Sequence, residues 1–397
     1  MSNFVVSAIR RNYMLASHRK DGFIEWMKDM LLHSFALADS QSYLGTMQYF
    51  EDLVDEHREN PDCSRLKQLV PSVGLFHTPL SLVEAFRLYD RKYSISQRRC
   101  IAPSFNEIRH ILNLAQIMNI GTNLNMISFD GDQTLYQDGG NFDYENDELA
   151  LGLIRLLCNN VKVILITAAG YGLEPSRYEV RLQGLFKRFI DEEMTKEQIE
   201  NFYVFGGECN YLFQATRKEN MIEKQVEGEG GQIEKLVVKE SVAGLIPIPS
   251  EVWQDEQITG PKPYYWPKDQ IQHLLDTAER VMRQSREELK LRARILRKDR
   301  AVGIYPGGRD MLKDFPIGHG SKKLKQEALD EVVLRILEEI HKRQPPITIP
   351  YCVFNGGTDA WLDIGNKSVA VSVLQAYFNF KPSHCLHVGD QVSYNMM

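Results

Sequence analysis

Residues 127–140 read ISFDGDQTLYQDGG, and the apolar run LNMISF ends there in two carboxylates one residue apart, Asp130 and Asp132. Gly131 lies between them and Thr134 follows. Like charges this close repel and cost stability unless a cation or a reaction uses them. Three later segments carry matching chemistry in chain order: VKVILIT ends in the hydroxyl of Thr167, Lys367 opens a helical pattern, and HCLHVGD ends in Asp390. Phosphoryl transfer needs such a set. Phosphate monoesters barely hydrolyse unaided, and enzymes accelerate this class up to roughly 10²¹-fold. Magnesium takes oxygen ligands and is satisfied by one or two carboxylates plus a phosphate oxygen, which Asp130 and Asp390 can supply. A carboxylate such as Asp130 can also attack phosphorus, splitting one hard step into two. Asp132 can protonate the leaving oxygen and later deprotonate water. Thr167 can hold a phosphoryl oxygen, while Lys367 neutralises charge and orients the nucleophile.

Strands must position these groups. LNMISF, VKVILIT (161–167), NFYVFGG (201–207) and HCLHVGD (384–390) read as buried strands, alternating with helical patterns at 147–160 and 177–190. Such alternation predicts an α/β fold with a doubly wound parallel sheet, whose ligands lie beyond the carboxyl ends of the strands. The first 120 residues read as helical, with apolar spacing over 22–38 and 80–93. SFNEIRHILNLAQIMN (104–119) opens on Ser104 with Glu107 three positions on, a capping-box signature. The polar, glycine-rich stretch 219–236 reads as an exposed hairpin or loop. One long helix is expected after Pro267, through 298, with KLRARILRK (290–298) as its solvated face and Lys298 or Arg300 as further phosphate-facing cations. AVGIYP and YCVFNG read as strands, with a helix over 324–343.

FDGDQT, the strand-end threonine of VILIT, Lys367 and HVGD, in that order, resemble the four motifs of the haloacid dehalogenase superfamily of phosphatases. The long stretch between Thr167 and Lys367 then suggests an inserted cap. SFNEIRHILNLAQI, FDGDQTLYQDGG, FYVFGGECNYLF, FNGGTDAWLDIGNK and CLHVGDQ together resemble the IMP-specific 5′-nucleotidases of fungi and protozoan parasites. The resemblance implies magnesium-dependent hydrolysis of inosine monophosphate through an aspartyl-phosphate. In it Asp130 is the nucleophile and Asp132 the acid/base. Magnesium is held by Asp130, the Asp132 main-chain oxygen and Asp390, and Asp130, Asp138, Thr167, Asp359 and Lys367 line the substrate pocket. It further implies a homotetramer and activation by ATP, with Lys92 and His110 at the effector site. The implied domains are a helical region over 1–120, a haloacid-dehalogenase-like (HAD-like) core over 121–175 and 345–397, and an α+β cap over 176–344.

Composition narrows the partners. The 397 residues carry a net charge of −6, which disfavours sequence-independent nucleic-acid binding. No apolar run nears the eighteen or so residues of a membrane span. Six scattered cysteines without a CxxC pair suit reduced thiols and a cytoplasmic location. Residues 1–20 hold Arg10, Arg11, Arg19 and Lys20 and no acid, but they run into an ordinary helix pattern. Taken singly, each site residue also has a plain reading: strand β-branching for Thr167, a solvated first turn for Lys367, turns for Asp138, Asp359 and Asp390, an exposed histidine for His110. The chain stops at VSYNMM, where the resembled family continues with a further acid and a closing strand and helix. Two alternatives follow: a phosphatase of the same fold for another small phosphomonoester, or a catalytically impaired, nucleotide-binding regulatory subunit.

Overall fold

The computed structural model describes residues 21–36, 40–137, 139–227, 233–254, 266–308 and 323–389. The chain divides into two compact units, one running up to Leu124 and including Lys381–Leu386, the other covering Asn125–Phe380 and resuming at His387.

The first unit is helical: α1 (Gly22–Ala36), α2 (Ser40–Glu59), the short α3 (Arg65–Leu69), α4 (Leu82–Tyr93) and α5 (Phe105–Ile120). Its core is built from apolar residues at helical spacing, among them Met27, Leu31, Met47, Phe50, Phe86 and Ile111. The Ser104–Glu107 capping box forms as the sequence suggests, Glu107 N–H donating to Ser104 Oγ at 3.3 Å and Ser104 N–H to Glu107 Oε2 at 2.8 Å. The amino-terminus of α4 is capped across the bundle instead. There Val83 N–H donates to Glu51 Oε1 of α2 at 2.8 Å, which satisfies a donor that helix geometry leaves open.

The second unit holds two sheets. In the first the strands run in the order β1-β2-β3-β4-β5, with β1 Met126–Asp130, β2 Lys162–Ile166, β3 Phe202–Gly206, β4 Tyr211–Glu227 and β5 Ile233–Pro247. Strands β1, β2 and β3 are parallel neighbours. Helices α6 (Asp147–Cys158), α7 (Pro175–Asp191) and the one-turn α8 (Lys196–Ile199) make the crossovers. β1 and β3 are buried along their whole length, as strands covered on both faces must be. The sheet is mixed, not wholly parallel, because β4 runs antiparallel to both β3 and β5. Only Gly207–Asn210 join β3 to β4, too few for a crossover. Gly207 and Glu208, with φ of 59° and 66°, reverse the chain instead.

The second sheet is antiparallel throughout, in the order β6-β7-β9-β8: β6 Ala293–Arg297, β7 Ala301–Pro306, β8 Tyr351–Asn355 and β9 Ala360–Ile364. Val302, Ile304, Ala360 and Leu362 are fully buried, and helices α10 (Lys268–Glu288) and α11 (Gln326–His341), which follow the one-turn α9 (Ser250–Trp253), cover the sheet. Trp361 and Asp363 alternate onto the other face.

One expectation is corrected. The helix after Pro267 stops at Glu288, and residues 293–297 form the edge strand β6. Lys290 takes a left-handed φ of 51°, which ends the helical path, and the alternating burial of ARILR suits a strand with one covered face. β4 and β5 extend the first sheet, whereas β8 and β9 belong to the second. Residues 219–227 and 233–236 of the polar stretch lie in the paired strands β4 and β5. Among the described residues no helix is long and apolar enough to cross a membrane.

α7 meets the loop after the DGD turn at Gly184, where an added Cβ would lie 2.3 Å from the Phe142 carbonyl oxygen and 2.6 Å from the Tyr144 nitrogen. These are backbone atoms and cannot swing aside. Gly184→Ala should destabilise the chain by about 1–3 kcal/mol through overpacking, against the ~1 kcal/mol that alanine contributes within a helix. Chemical denaturation reads this as a lowered midpoint, and an unchanged midpoint would mean that α7 shifts freely.

Candidate active site

β1 delivers Asp130 at its carboxyl end, and β2 delivers Thr167 one residue past its own. The parallel register aligns Asp130 with Ile166, so both groups emerge at one edge of the sheet. Asp130 and Thr167 are 7% and 2% exposed. Gly131 is required where it stands, since a Cβ there would come within 2.4 Å of the Tyr136 hydroxyl. The turn is held by the Gly131 carbonyl, which accepts from the N–H groups of Thr134, Leu135 and Tyr136, and by Gln133 N–H donating to the Tyr136 carbonyl at 2.7 Å. Among the described residues the Thr134 hydroxyl is buried without a hydrogen-bond partner.

The charges are then met one by one. Lys367, the first residue of α12 (Lys367–Phe378), donates from Nζ to Asp130 Oδ2 at 2.7 Å. Asp130 Oδ1 accepts the Gly131 N–H at 2.7 Å. Asn366 caps α12, its side chain accepting from Val369 N–H at 2.9 Å, which fixes the turn carrying the lysine. Asp132 Oδ1 accepts from Arg181 Nη1 of α7 at 3.1 Å and from Gly139 N–H at 3.0 Å. Arg181 is held in turn by its Nε on the Tyr171 hydroxyl at 3.2 Å. Thr167 Oγ1 accepts from Ala169 N–H at 3.1 Å.

Behind Lys367 lies a buried acid cluster. The carboxylates of Glu208 and Asp363 and Cys352 Sγ lie within 4.8 Å of one another, with Glu208 4% and Asp363 5% exposed. Burial, with Asp130 adding to it and Lys367 opposing, raises the Glu208 carboxyl to about 7. Burial and the Glu208 charge push the Asp363 carboxyl well above the ordinary range, against Lys298 and Lys367. Lys298, half-buried and 5.0 Å from the Trp361 ring centre, is lowered by desolvation. Trp361 lies flat on β7, and Gly303 makes room for it, since a Cβ there would meet three ring atoms within 2.5 Å. A small cleft beside the cluster is lined by Ala168, Gly170, Gly207, Tyr211, Lys298 and Arg300. Among the described residues Arg300 Nη1 is buried there without a partner.

The sequence-derived residues are thus placed unevenly. Asp130, Asp132, Thr167 and Lys367 gather at one edge of the first sheet. Asp359 lies in the β8–β9 turn, where its main-chain oxygen accepts the Gly356 N–H at 2.9 Å and its Oδ1 fills the space beside Gly356. Lys92 and His110 are exposed residues of α4 and α5 in the helical unit. Tyr89 donates to or accepts from His110 Nδ1 at 3.3 Å, and Lys92 Nζ sits 5.1 Å from the Tyr93 ring centre. Asp138 and Asp390 lie outside the described residues. Sequence reasoning missed Arg181 and Glu208. Arg181 gives no signal on an amphipathic helix, but Glu208 did, since NFYVFGGE ends in an acid much as LNMISFD does.

A divalent cation would find hard oxygen donors on the DGD turn. The Asp130 carboxylate is one. The Asp132 carbonyl is another, since the turn's hydrogen bonds fall on the carbonyls of Gly131 and Tyr136 instead. Two oxygens on one rigid turn fit a magnesium ion, which keeps its remaining positions for water and substrate.

The chain is similar to known proteins along most of its length. A family profile described as IMP-specific 5′-nucleotidase matches residues 38–396. The IMP-specific 5′-nucleotidase 1 of Eremothecium gossypii is 36% identical over 410 residues, covering 97% of this chain and 89% of that protein. The protein of the same name from Plasmodium falciparum is 35% identical over 343 residues, covering 86% and 69%. Among solved structures, Plasmodium falciparum IMP-nucleotidase superposes with a TM-score of 0.78 at 32% identity, over 95% of this chain and 88% of that one. Its ATP-bound structure superposes with a TM-score of 0.77 at 32% identity, over 98% and 81%.

Proposed function

This chain belongs to the family of IMP-specific 5′-nucleotidases, phosphoric monoester hydrolases, and on that footing we propose that it hydrolyses inosine 5′-monophosphate to inosine and phosphate. The observation that carries the reading is the Lys367–Asp130 contact at 2.7 Å, which holds a mostly buried carboxylate at a strand end with one oxygen gripped and its rotamer fixed. A nucleophile needs that orientation before substrate arrives.

In the first half-reaction the Asp130 carboxylate attacks phosphorus and the bond to the nucleoside 5′-oxygen breaks. Asp132 gives that oxygen its proton. In the second half-reaction Asp132 takes a proton from water, the water oxygen attacks the aspartyl-phosphate, and phosphate leaves with Asp130 restored. Arg181 keeps Asp132 aimed through both steps. Thr167 and Lys367 hold the non-bridging phosphoryl oxygens, whose charge grows toward the transition state. Magnesium, held by the Asp130 carboxylate, the Asp132 carbonyl and Asp390, would supply charge neutralisation for the phosphoryl group.

The first sheet serves as a core of the haloacid dehalogenase type, and the second sheet with its helices as the cap. Asp138 and Asp359 contribute to substrate binding. ATP, which a solved relative binds, acts as an effector at Lys92 and His110 of the helical unit. The enzyme works as a cytoplasmic homotetramer in purine salvage.

Phosphate release should be measured on IMP, GMP, AMP and a sugar phosphate, with and without magnesium. We expect IMP turnover that a chelator abolishes and added magnesium restores. Equal rates on all four substrates would remove the nucleotide reading, and full activity in chelator would remove the metal.

A further inference from the structure

The Asp132 side chain is 31% exposed and stands one residue from Asp130, a like charge that repels it. A series of contacts running back from the sheet edge aims it all the same. Asp132 Oδ1 accepts from Arg181 Nη1 at 3.1 Å and from Gly139 N–H at 3.0 Å. Among the described residues both donors thus fall on Oδ1 and none on Oδ2. Arg181 Nε, another arm of the same planar group, donates to the Tyr171 hydroxyl at 3.2 Å. Tyr171 is itself fixed. Its N–H donates to the Tyr178 hydroxyl at 3.0 Å, its ring meets the Tyr178 ring edge-on with centres 5.1 Å apart, and Tyr178 is buried. The main chain of Arg181 is tied as well, its carbonyl accepting the Phe142 N–H at 2.7 Å, which holds α7 to the loop after the DGD turn. A guanidinium bonded at both ends keeps one orientation. Bonded to the carboxylate alone, it would be an ordinary surface pair of little weight.

Resting on the phosphatase reading, we infer that Tyr171 is a positioning residue, which through Arg181 holds Asp132 with Oδ1 gripped and Oδ2 turned to the nucleoside 5′-oxygen. General acid catalysis contributes about 10²–10⁴-fold and requires the acid within hydrogen-bond reach of the oxygen that it protonates. That contribution is large for a nucleoside 5′-oxygen, which is strongly basic when it leaves without a proton. It is small for p-nitrophenolate, which leaves without help. A badly aimed Asp132 therefore shows as a dependence on the leaving group, which a general loss of folded chain does not produce. The agent is the Tyr171 hydroxyl, so phenylalanine removes the strut and keeps the ring against Tyr178.

The test is kinetic and uses the full chain with magnesium, on IMP and on p-nitrophenyl phosphate, a phosphomonoester without a nucleoside. It reads kcat/KM, which covers the steps up to departure of the alcohol. Tyr171→Phe should lower kcat/KM by about tenfold on IMP and by less than about twofold on p-nitrophenyl phosphate. Arg181→Met should lower it by about 30- to 100-fold on IMP and by less than about fivefold on p-nitrophenyl phosphate. Added to Arg181→Met, Tyr171→Phe should cost less than about twofold on IMP, because residues acting through one another are not additive. Should the methionine variant fail to fold, Arg181→Lys replaces it, since one ammonium cannot span both partners, and must show the same selective loss on IMP. An equal loss on both substrates would overturn the proposal. So would a full tenfold cost of Tyr171→Phe without Arg181, which would put the hydroxyl on the nucleoside itself. If the wild-type chain turns over IMP alone, the double-variant cycle decides by that same criterion. A wild-type chain active on p-nitrophenyl phosphate but not on IMP would overturn the substrate reading alone, and glycerol 2-phosphate, another alkyl leaving group, then takes the place of IMP. A wild-type chain inert to all three would overturn both.

Discussion

Asp130→Asn should lower phosphate release from IMP by about 10⁴-fold or more, since losing a nucleophile removes a whole route and not one contact. The substitution is nearly isosteric. It keeps an oxygen to accept from Gly131 N–H or from Lys367 Nζ, contacts of 2.7 Å each in the native site. Substrate affinity should therefore change by less than about tenfold, because Thr167, Lys367 and the remainder of the pocket still bind it. Steady-state kinetics with magnesium and calorimetric titration of IMP separate the two quantities. A variant that keeps a tenth of wild-type kcat would show that Asp130 is not the attacking group. A variant that no longer binds IMP would show that the carboxylate chiefly holds the substrate.

Lys367→Met should injure both stability and activity. The Asp130 side chain is 10% exposed, and the lysine ammonium is its salt-bridge partner at 2.7 Å. Breaking a buried pair from one side costs about 3–5 kcal/mol because a charge is left without compensation; the partial exposure of Lys367 puts the expectation at the low end. Activity should fall about 10²–10³-fold through loss of the charge that meets the phosphoryl oxygens. The pairing makes a sharper forecast. Asp130→Asn with Lys367→Met should regain most of the lost stability and none of the activity, because the amide has no charge to strand. Denaturation midpoints of the four chains, beside their rates, decide this. A double variant no more stable than Lys367→Met alone would mean that the pair is not what stabilises the site.

Some of this was legible from neighbours along the chain. An apolar run broken by a carboxylate marks a buried strand and the place where it leaves the sheet, so β1 and β2 and their terminal groups Asp130 and Thr167 could be read directly. The Ser104–Glu107 cap is likewise a contact between residues three apart. The need for Gly131, the Tyr136 hydroxyl beneath it, was not legible.

Local pattern failed where partners are distant. ARILR, with its alternating burial, follows so closely on a helix that period alone joined the two. It became β6 only by pairing with β7. The sheets to which β4, β5, β8 and β9 belong could not be read along the chain, because strand membership is a matter of hydrogen bonds to other segments, which the strand's own residues do not specify. Lys367 and Asp130 were identified as a pair by chemistry, but only folding brings them to 2.7 Å. Arg181 is the plainest case, an ordinary charged residue on its own helix that became part of the site when α7 set it beside Asp132. By itself the sequence determined which chemistry the strand ends could perform, because side-chain type and hydrophobic period are local properties. The tertiary structure decided which groups hold that chemistry in place, because burial and charge pairing exist only between segments that packing has brought together.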